Sequence, residues 1–376
     1  MVKNMKNRLK SKLLYVPIIC ICLMLFSSCC KVVRKDYNIE RDNNFGAVKL
    51  LTSIDDFHQD GFTFGDSIDI RFSNGQEVLD IPYFNGYYTK TGELEACGYP
   101  GYTSVYVSYT NSGSLYDELK LNDKDIASVT LNEKGKYLNI QEAFNIKYSD
   151  SRDNYDSDER FSNFRSLSGG NLKDNTFYRG ASPIDNEHNR PSIVNKLIQE
   201  VGINFILDLA DSQSEIDSYI INNPEEKDYY FMKLLENDNV ALLNLDAAYR
   251  SEDYCTNLIN GLRVMMNKQG PYYIHCLEGK DRTGFVCILL ESLANATYEE
   301  LENDYMITYY NYYGIDENST PDKYRAYLEL KFDDIIDYLR RDNNSIFDGA
   351  VRYLQDGGMS EVEIDELLKL LIDESK

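Results

Sequence analysis

Two hydrophobic patterns divide the chain. From residue 61 to about residue 109, apolar and polar residues alternate over short runs, as in Ile-Asp-Ile-Arg-Phe at 68–72, with the period of two that is typical of half-buried β-strands. Asn74-Gly75 is a strong hairpin signal after this run. Further strand-like runs lie at 86–88, 105–109 and 127–131. The pattern predicts a small all-β domain over residues 59–148, either a barrel or a sandwich.

The rest of the chain alternates strand-like and helix-like segments. The apolar run 205–209 is typical of a buried parallel strand. Three capping boxes, each a Ser or Thr followed three residues later by Glu, predict helix starts. They are Ser212 with Glu215, Thr297 with Glu300, and Ser360 with Glu363. This alternation predicts an α/β domain over residues 161–376, in which helices flank a parallel sheet.

The N-terminus has the pattern of an export signal. A basic stretch precedes an apolar run over 13–26 that is short for a membrane span, and Ser27-Ser28-Cys29 follows. Residues 1–28 are therefore expected to be a signal peptide, and the site resembles bacterial lipoprotein processing sites. That resemblance implies lipidation of Cys29, membrane tethering and an extracytoplasmic location; an uncleaved signal anchor is the alternative. Polar residues 29–58 are expected to form a tether.

The charge and the cysteine content argue against several classes of function. The formal net charge is −23, so most of the surface should repel nucleic acid and anionic lipid. The eight cysteines are unevenly spaced and predict neither a disulfide framework nor a zinc site. Cys287 is interpreted as a core residue of an apolar helix. We expect no cofactor and no metal.

The most informative motif is the segment His-Cys-Leu-Glu-Gly-Lys-Asp-Arg-Thr-Gly at 275–284. An apolar strand-like run precedes Cys276, and an apolar helix-like run follows Arg282. A strand–loop–helix turn of this kind directs backbone N–H groups and a helix N-terminus at one spot, where an oxyanion can bind. Residues 276–282 are called the Cys276 loop below. The alternative is a buried structural cysteine at a strand end.

This segment resembles the phosphate-binding loop of cysteine-dependent phosphatases, H-C-x5-R-[ST]. Its form H-C-x-x-G-K-D-R-T-G is similar to a bacterial group of tyrosine and phosphoinositide phosphatases (tyrosine phosphatase family 3-like), which also includes dual-specificity enzymes. The resemblance implies a cysteine phosphatase fold and a phosphocysteine intermediate. It implies no metal, since the arginine and the loop amides hold the phosphate.

The resemblance and the chemistry together assign roles to the loop residues. A helix N-terminus and a nearby cation lower the pKa of a thiol, so Cys276 is the expected nucleophile. Arg282 offers a planar fork of donors for phosphoryl oxygens. The expected substrate-binding residues are Leu277, Glu278, Gly279, Lys280 and Thr283. His275 is expected to support the loop by hydrogen bonding, and the Thr283 hydroxyl to steady the departing thiolate.

The proton donor to the leaving group has two candidates. Asp281 lies within the loop, where the similar bacterial group is thought to carry its acid. Asp246 lies about thirty residues upstream, where many cysteine phosphatases place theirs on a mobile segment. We favour Asp281.

Several nearby residues have two interpretations. Lys280 is either a solvated lysine or a second cation at the site mouth, useful for a multiply phosphorylated ring. Arg179 either supplies charge to that mouth or forms a surface ion pair. Tyrosines at 309–313 either wall the pocket or pack a helix end. Ala210 and Asp211 stand where the similar group has an arginine, so a cationic role there is in doubt.

The expected function is hydrolysis of phosphate monoesters, with a phosphotyrosine protein or a phosphoinositide as substrate. The alternatives are an inositol polyphosphate phosphatase and a catalytically inactive surface protein that binds phosphate. Substrate identity, the ligand of the β domain and the oligomeric state are open at this point.

Overall fold

A closed β-barrel forms the N-terminal part of the computed structural model, which describes residues 33–43, 46–341 and 345–373. Around the barrel the strand order is β1-β2-β6-β5-β4-β3-β7. The strands are β1 Arg34–Arg41, β2 Val48–Leu50, β3 Ser67–Phe72, β4 Glu77–Phe84, β5 Leu94–Cys97, β6 Val105–Tyr109 and β7 Ile126–Glu133. Of the two predicted alternatives, the barrel is confirmed.

Alternating side chains fill the barrel. Ile68 and Ile70 are fully buried and Arg71 is exposed, as the period of two requires. The Asn74-Gly75 hairpin joins β3 to β4, and Gly75 has a φ of +90°, a conformation that glycine adopts without strain. Three short helices accompany the barrel: α1 Ile54–Gln59, α2 Leu115–Glu118 and α3 Leu138–Phe144.

Two predictions about this region are wrong. Residues 29–58 were expected to form a tether, yet β1 and β2 close the barrel, with β1 hydrogen-bonded to both β2 and β7. Their apolar residues are few and spread among charged ones, because only one face of each strand is buried. The expected strand at 86–88 is a loop instead. The predicted signal peptide 1–28 and Cys29 lie outside the described residues.

The C-terminal part is an α/β structure around a five-stranded sheet of order β11-β10-β12-β9-β8. Four of these strands are parallel and β8 is antiparallel. The strands are β8 Arg165–Ser166, β9 Phe177–Gly180, β10 Phe205–Asp208, β11 Val240–Leu242 and β12 Tyr272–His275. The prediction of a parallel sheet flanked by helices is confirmed.

The helices of this part follow the strands along the chain. They are α4 Asp158–Phe161, α5 Pro191–Glu200, α6 Gln213–Asn222, α7 Tyr230–Glu236, α8 Glu252–Met266, α9 Asp281–Leu293, α10 Tyr298–Tyr313, α11 Pro321–Tyr327, α12 Asp333–Leu339, α13 Ile346–Asp356 and α14 Glu361–Leu371. A π-helical turn, Leu328–Phe332, joins α11 to α12. No helix in the described ranges is both long enough and apolar enough to span a bilayer.

The sheet is covered on both faces. Leu207 and Ile274 belong to one apolar core, while their neighbours Ile206 and Tyr273 belong to a second core on the opposite face. All three predicted capping boxes are present, with both reciprocal hydrogen bonds formed. The helices are therefore fixed over a sheet whose carboxyl ends lie at one edge.

The barrel is joined to the α/β part by side chains from both. The ring of Phe144, at the end of α3, lies 4.2 Å from that of Tyr327. Arg250 Nη1 donates to the Thr91 carbonyl at 3.3 Å, and Lys331 Nζ donates to the Tyr87 carbonyl at 3.0 Å. These contacts bring the barrel loops against the sheet edge where the Cys276 loop lies.

Candidate active site

The Cys276 loop begins at the carboxyl end of β12, a central strand of the sheet, and runs into α9 at Asp281. This is the predicted strand–loop–helix arrangement, because the apolar runs on either side are buried in the core. Cys276 is a free thiol with 3% exposure. Cys287 lies within α9 and is fully buried, which confirms its interpretation as a core residue. Burial raises the pKa of the Cys287 thiol to about 12, so it stays protonated.

Other elements hold the carbonyl groups of the loop from outside. Three successive carbonyls accept such hydrogen bonds. They are Leu277 O from Ser182 N at 2.9 Å, Glu278 O from Tyr312 Oη at 2.6 Å, and Gly279 O from Arg179 Nη2 at 2.9 Å and Asn163 Nδ2 at 3.1 Å. In a trans peptide the next N–H points opposite to the carbonyl. The N–H groups of Glu278, Gly279 and Lys280 are therefore directed into the loop, where they form an anion-binding concavity.

Gly279 is required by this arrangement. Its φ is +66°, and a Cβ at this position would lie 2.2 Å from the carbonyl oxygen of Gly180. The loop therefore approaches the backbone of β9 too closely for any side chain.

Behind the loop lies a buried ion network. Asp304 pairs with Arg165, at 2.8 Å, and with Arg179, which is itself fully buried. Burial raises the pKa of Asp304, but the two guanidinium groups outweigh burial and lower it. Both sequence interpretations of Arg179 are therefore wrong: it supplies charge neither to a pocket mouth nor to a surface ion pair. Instead, it supports the loop from behind.

Arg282 lies at the first turn of α9, where its Nη1 donates to the Leu245 carbonyl at 2.9 Å. No carboxylate within the described residues forms an ion pair with it. Burial lowers the pKa of Arg282, but negative charge on Cys276, Tyr254 and two aspartates together outweighs burial and raises it. The guanidinium is thus charged and electrostatically coupled to the thiol, with further donors available to a ligand.

Lys280 is neither solvated nor an unpaired cation. Its Nζ lies 2.8 Å from Glu278 Oε2 and 3.8 Å from Asp281 Oδ2. Burial raises the pKa of Glu278, but the charge and hydrogen bond of Lys280, the hydrogen bond from Tyr148 and the charge of His188 together outweigh burial and lower it to about 2. The structure thus contradicts the solvated interpretation of Lys280, whose side chain is 16% exposed, and places Lys280 in the cavity lining as a cation paired with Glu278.

His275 belongs to a buried polar cluster under the loop. Its Nδ1 lies 3.4 Å from the Cys276 carbonyl oxygen, and its Nε2 lies 3.7 Å from Asp208 Oδ2. Burial lowers the pKa of His275 to about 4 and raises that of Asp208 to about 6. Burial and the Asp208 carboxylate raise the pKa of Asp211 to about 8. His275 is therefore neutral. Asp211, which follows β10 where the similar bacterial group has an arginine, supplies no positive charge.

This cluster is the nearest approach to a metal site in the described ranges. The ligand atoms of Asp208, Asp211 and His275 lie within 4.8 Å of one another. Asp208 Oδ2, Asp211 Oδ2 and His275 Nε2 are buried without a hydrogen-bond partner among the described residues, and burial favours the neutral forms of the two carboxyl groups.

A cavity of about 360 Å³ opens in front of the loop. Lys280, Asp281 and Arg282 line it, whereas Cys276, Thr283 and Asp246 do not. Nine tyrosines line the same cavity: Tyr87, Tyr88, Tyr99, Tyr249, Tyr254, Tyr305, Tyr309, Tyr313 and Tyr327. The pocket-wall interpretation of the tyrosine cluster is thus confirmed for Tyr309 and Tyr313. Tyr312 instead lies behind the loop.

Two hydroxyl groups near the loop have no hydrogen-bond partner within the described residues. They belong to Thr283 and Tyr254, and both are buried. Burial and negative charge on Cys276 raise the pKa of Tyr254, so its hydroxyl stays protonated. The sequence had singled out Thr283 but not Tyr254, because an isolated tyrosine on α8 carries no local signal of its position. Of these two residues, Tyr254 lines the cavity and Thr283 does not.

The two acid candidates differ in placement. Asp281 lines the cavity at the start of α9, with a side chain that is 59% exposed. Asp246 Oδ1 accepts a hydrogen bond from Ala248 N at 2.8 Å. The cavity therefore includes the candidate that we favoured from the sequence.

Comparison with known families gives one match. Residues 158–373, more than half of the chain, match the model of a family described as the tyrosine phosphatase family. No curated protein matches the chain.

Two solved structures show weak similarity. An uncharacterized conserved protein from Thermotoga maritima is 17% identical, with a TM-score of 0.23, and the match covers 25% of this chain and 35% of that one. P. aeruginosa TpbA is 15% identical, with a TM-score of 0.25, and the match covers 46% of this chain and 88% of that one. The match thus spans about a third of the Thermotoga maritima protein. With scores this low, neither similarity indicates a function.

Proposed function

This chain belongs to the tyrosine phosphatase family, and from that premise we propose that it hydrolyses phosphate monoesters through a phosphocysteine intermediate. The observation that carries the proposal is the orientation of the loop. Three carbonyls are held outward, so three N–H groups converge on the space between Cys276 and the start of α9. A pure structural cysteine has no need of such a concavity.

In the first step, the Cys276 thiolate attacks phosphorus. The S–P bond forms and the bond from phosphorus to the ester oxygen breaks. Charge on the three equatorial oxygens is held by the loop amides and by the free donors of Arg282. Asp281 gives its proton to the leaving oxygen, which departs as an alcohol or a phenol.

In the second step, water attacks the phosphocysteine. The Asp281 carboxylate accepts a proton from that water, the S–P bond breaks, and inorganic phosphate and the thiolate are released. The unpartnered hydroxyl of Thr283 is the group that we assign to steadying the thiolate. His275 acts through the loop backbone, since its Nδ1 lies beside the Cys276 carbonyl.

The test is hydrolysis of p-nitrophenyl phosphate in reducing buffer with a chelator, comparing the wild-type protein with Cys276→Ser. We expect activity that survives the chelator and is lost in the variant. Equal activity in both proteins would exclude the cysteine mechanism. Absence of activity in both, with phosphate binding retained, would favour the inactive phosphate-binding protein.

For the substrate, we propose a phosphorylated ring, as in a phosphotyrosine protein or a phosphoinositide. Support comes from the cavity, whose nine tyrosines offer flat apolar faces next to Arg282. Comparing kcat/KM for a phosphotyrosine peptide with that for inositol phosphates separates the protein substrate from the inositol polyphosphate alternative.

We further propose that the protein is exported and anchored through a lipid on Cys29. Support comes only from the sequence of residues 1–29. Intact-mass analysis of the membrane fraction tests this, and a chain that retains an unmodified Met1 would contradict it.

A further inference from the structure

The cavity in front of the Cys276 loop has two walls of different origin. One wall is the loop and the helices of the α/β part. The other comes from the barrel and its helix α3, whose lining residues are Tyr87, Tyr88, Thr89, Thr91, Tyr99, Thr110, Asn111 and Phe144. Whatever enters the cavity therefore contacts the barrel as well as the loop.

Three lysine and arginine side chains line this cavity, and they differ in their partners. Lys280 is paired with Glu278 at 2.8 Å. Arg282 and Lys331 each donate to a backbone carbonyl, of Leu245 and Tyr87 respectively, and neither has a carboxylate oxygen within 4.0 Å among the described residues. The cavity therefore contains two cations that form no ion pair with a carboxylate of the described residues.

Lys331 is held in an unusual position. It lies in the π-helical turn Leu328–Phe332, a distortion that redirects side chains and often occurs at functional sites. Its Nζ is fixed 3.0 Å from the Tyr87 carbonyl and 5.5 Å from the centre of the Phe144 ring. One hydrogen bond occupies one of the three ammonium donors, so two are available to a ligand.

The acids around Lys331 are Glu95, Asp281 and Asp334, and none forms an ion pair with it, although Glu95 Oε1 is buried without a hydrogen-bond partner among the described residues. Asp334 is paired with Arg250 at 2.8 Å, and Asp281 lies 3.8 Å from Lys280. Glu95 is fully buried in the barrel, where its Oε2 accepts from the backbone N–H groups of Tyr88 and Thr89. Burial lowers the pKa of Lys331, although the charges of Glu95, Asp281 and Asp334 act in the opposite direction. An anionic ligand beside Lys331 would further favour its charged form.

We propose that Lys331, seated against the barrel at Tyr87, forms a second anion subsite that binds a second phosphate of the substrate. The inference rests on the proposed function in taking the Cys276 loop as the first phosphate site. The preferred substrate is thus a bisphosphorylated ring, free or as a lipid headgroup, with one phosphate at Arg282 and the other at Lys331.

The experiment compares kcat/KM for an inositol bisphosphate with that for an inositol monophosphate. We expect Lys331→Met to lower the ratio of the two values by about tenfold or more, the worth of one charge-assisted hydrogen bond. Lys331→Arg should retain the ratio to within about threefold, since it keeps the charge. Lys323→Met, in the neighbouring helix α11 and outside the cavity lining, is the matched control.

A second arm uses phosphatidylcholine vesicles that contain a phosphatidylinositol bisphosphate or monophosphate. A fall of the ratio for Lys331→Met in this arm alone assigns the subsite to a lipid headgroup, and a fall with the soluble substrates alone assigns it to a free phosphate ester. An unchanged ratio in both arms, or an equal fall in Lys323→Met, would overturn the proposal.

A binding measurement separates this proposal from the proposed function. In the Cys276→Ser background, calorimetry with inositol bisphosphate should show about tenfold weaker binding when Lys331 is replaced by Met. If that loss is seen although the wild-type chain hydrolyses nothing, the phosphatase function fails and the subsite stands. If hydrolysis is present but neither ratio nor binding depends on Lys331, only the subsite fails.

Discussion

The two sides of the Cys276 loop are built in opposite ways. Behind the loop, Asp304 binds two arginines, and Arg179, Asn163 and Tyr312 hold loop carbonyls. In front, the Tyr254 hydroxyl has no hydrogen-bond partner among the described residues, and the cations Arg282 and Lys331 each donate to one backbone carbonyl and form no ion pair there. The contacts behind the loop therefore determine its shape, and the groups in front of it have hydrogen-bond donors that a ligand can use.

The largest effect on this contrast should come from Gly279→Ala. The added Cβ would meet the Gly180 carbonyl, so the loop must move and its amides must lose their convergence. We expect kcat/KM for p-nitrophenyl phosphate to fall by at least about a hundredfold, as for other displaced catalytic groups. Gly314→Ala is the control, since Gly314 has a similar φ of +64° but open space around it. Similar losses in both variants would show that backbone strain alone is responsible.

Arg179→Met should mainly affect stability. The substitution leaves Asp304 buried with one arginine and frees the Gly279 carbonyl, so the free energy of unfolding should fall by about 3–5 kcal/mol. Urea denaturation measures this. Arg71→Met removes an ion pair whose side chains are 56% and 49% exposed, and should cost less than about 1 kcal/mol. Comparable losses would mean that the rear network is not what holds the loop.

Asp281→Asn tests which residue in front of the loop gives a proton to the leaving group. If Asp281 is the proton donor, kcat on a phosphotyrosine peptide should fall by about a hundredfold, while p-nitrophenyl phosphate, whose leaving group needs little protonation, should be affected less. The opposite result, with Asp246→Asn removing turnover and Asp281→Asn leaving it intact, would assign the acid to Asp246.

The smallest expected effect is the contribution of Asp211 to the pH dependence of the free energy of unfolding. Burial and Asp208 raise the pKa of Asp211 to about 8 in the folded protein, compared with about 4 in an unfolded chain. Between these values the folded state binds a proton that the unfolded state has released, so the free energy of unfolding decreases as pH rises. In the folded state His275 and Asp208, whose pKa values are about 4 and 6, have lost their protons by about pH 6.5. Above this pH, the proton that the folded cluster still releases is therefore that of Asp211.

We therefore expect the wild-type protein to lose about 1 kcal/mol more stability than Asp211→Asn between about pH 6.5 and pH 8. Urea denaturation at each pH provides the measurement. Parallel curves for the two proteins would show that Asp211 is already ionised in the folded state.

The sequence predicted those features that depend on neighbouring residues. The Asn74-Gly75 hairpin, the three capping boxes and the turn from β12 into α9 are each specified within ten residues, and all are confirmed. A turn or cap is satisfied by local hydrogen bonds, so its signal is present in the local sequence.

Features that depend on distant residues were missed. Strand β1 is largely polar, and its partner β7 lies about ninety residues away. Arg179 was placed at the surface because arginine is rarely buried, and its partner Asp304 lies on α10. Tyr87 and Lys331 meet across 244 positions. In each case the missing information was a contact in three dimensions, with no spacing or composition signal near either residue.

Because the barrel begins soon after Cys29, the distance between Cys29 and the first strand is limited. Strand β1 begins at Arg34, five residues after Cys29. Five extended residues span at most about 18 Å. If Cys29 carries a lipid, strand β1 must begin within about that distance of the bilayer surface, and the protein as a whole stays next to the membrane. Such an enzyme would survey the surface to which it is attached and little of the bulk solution.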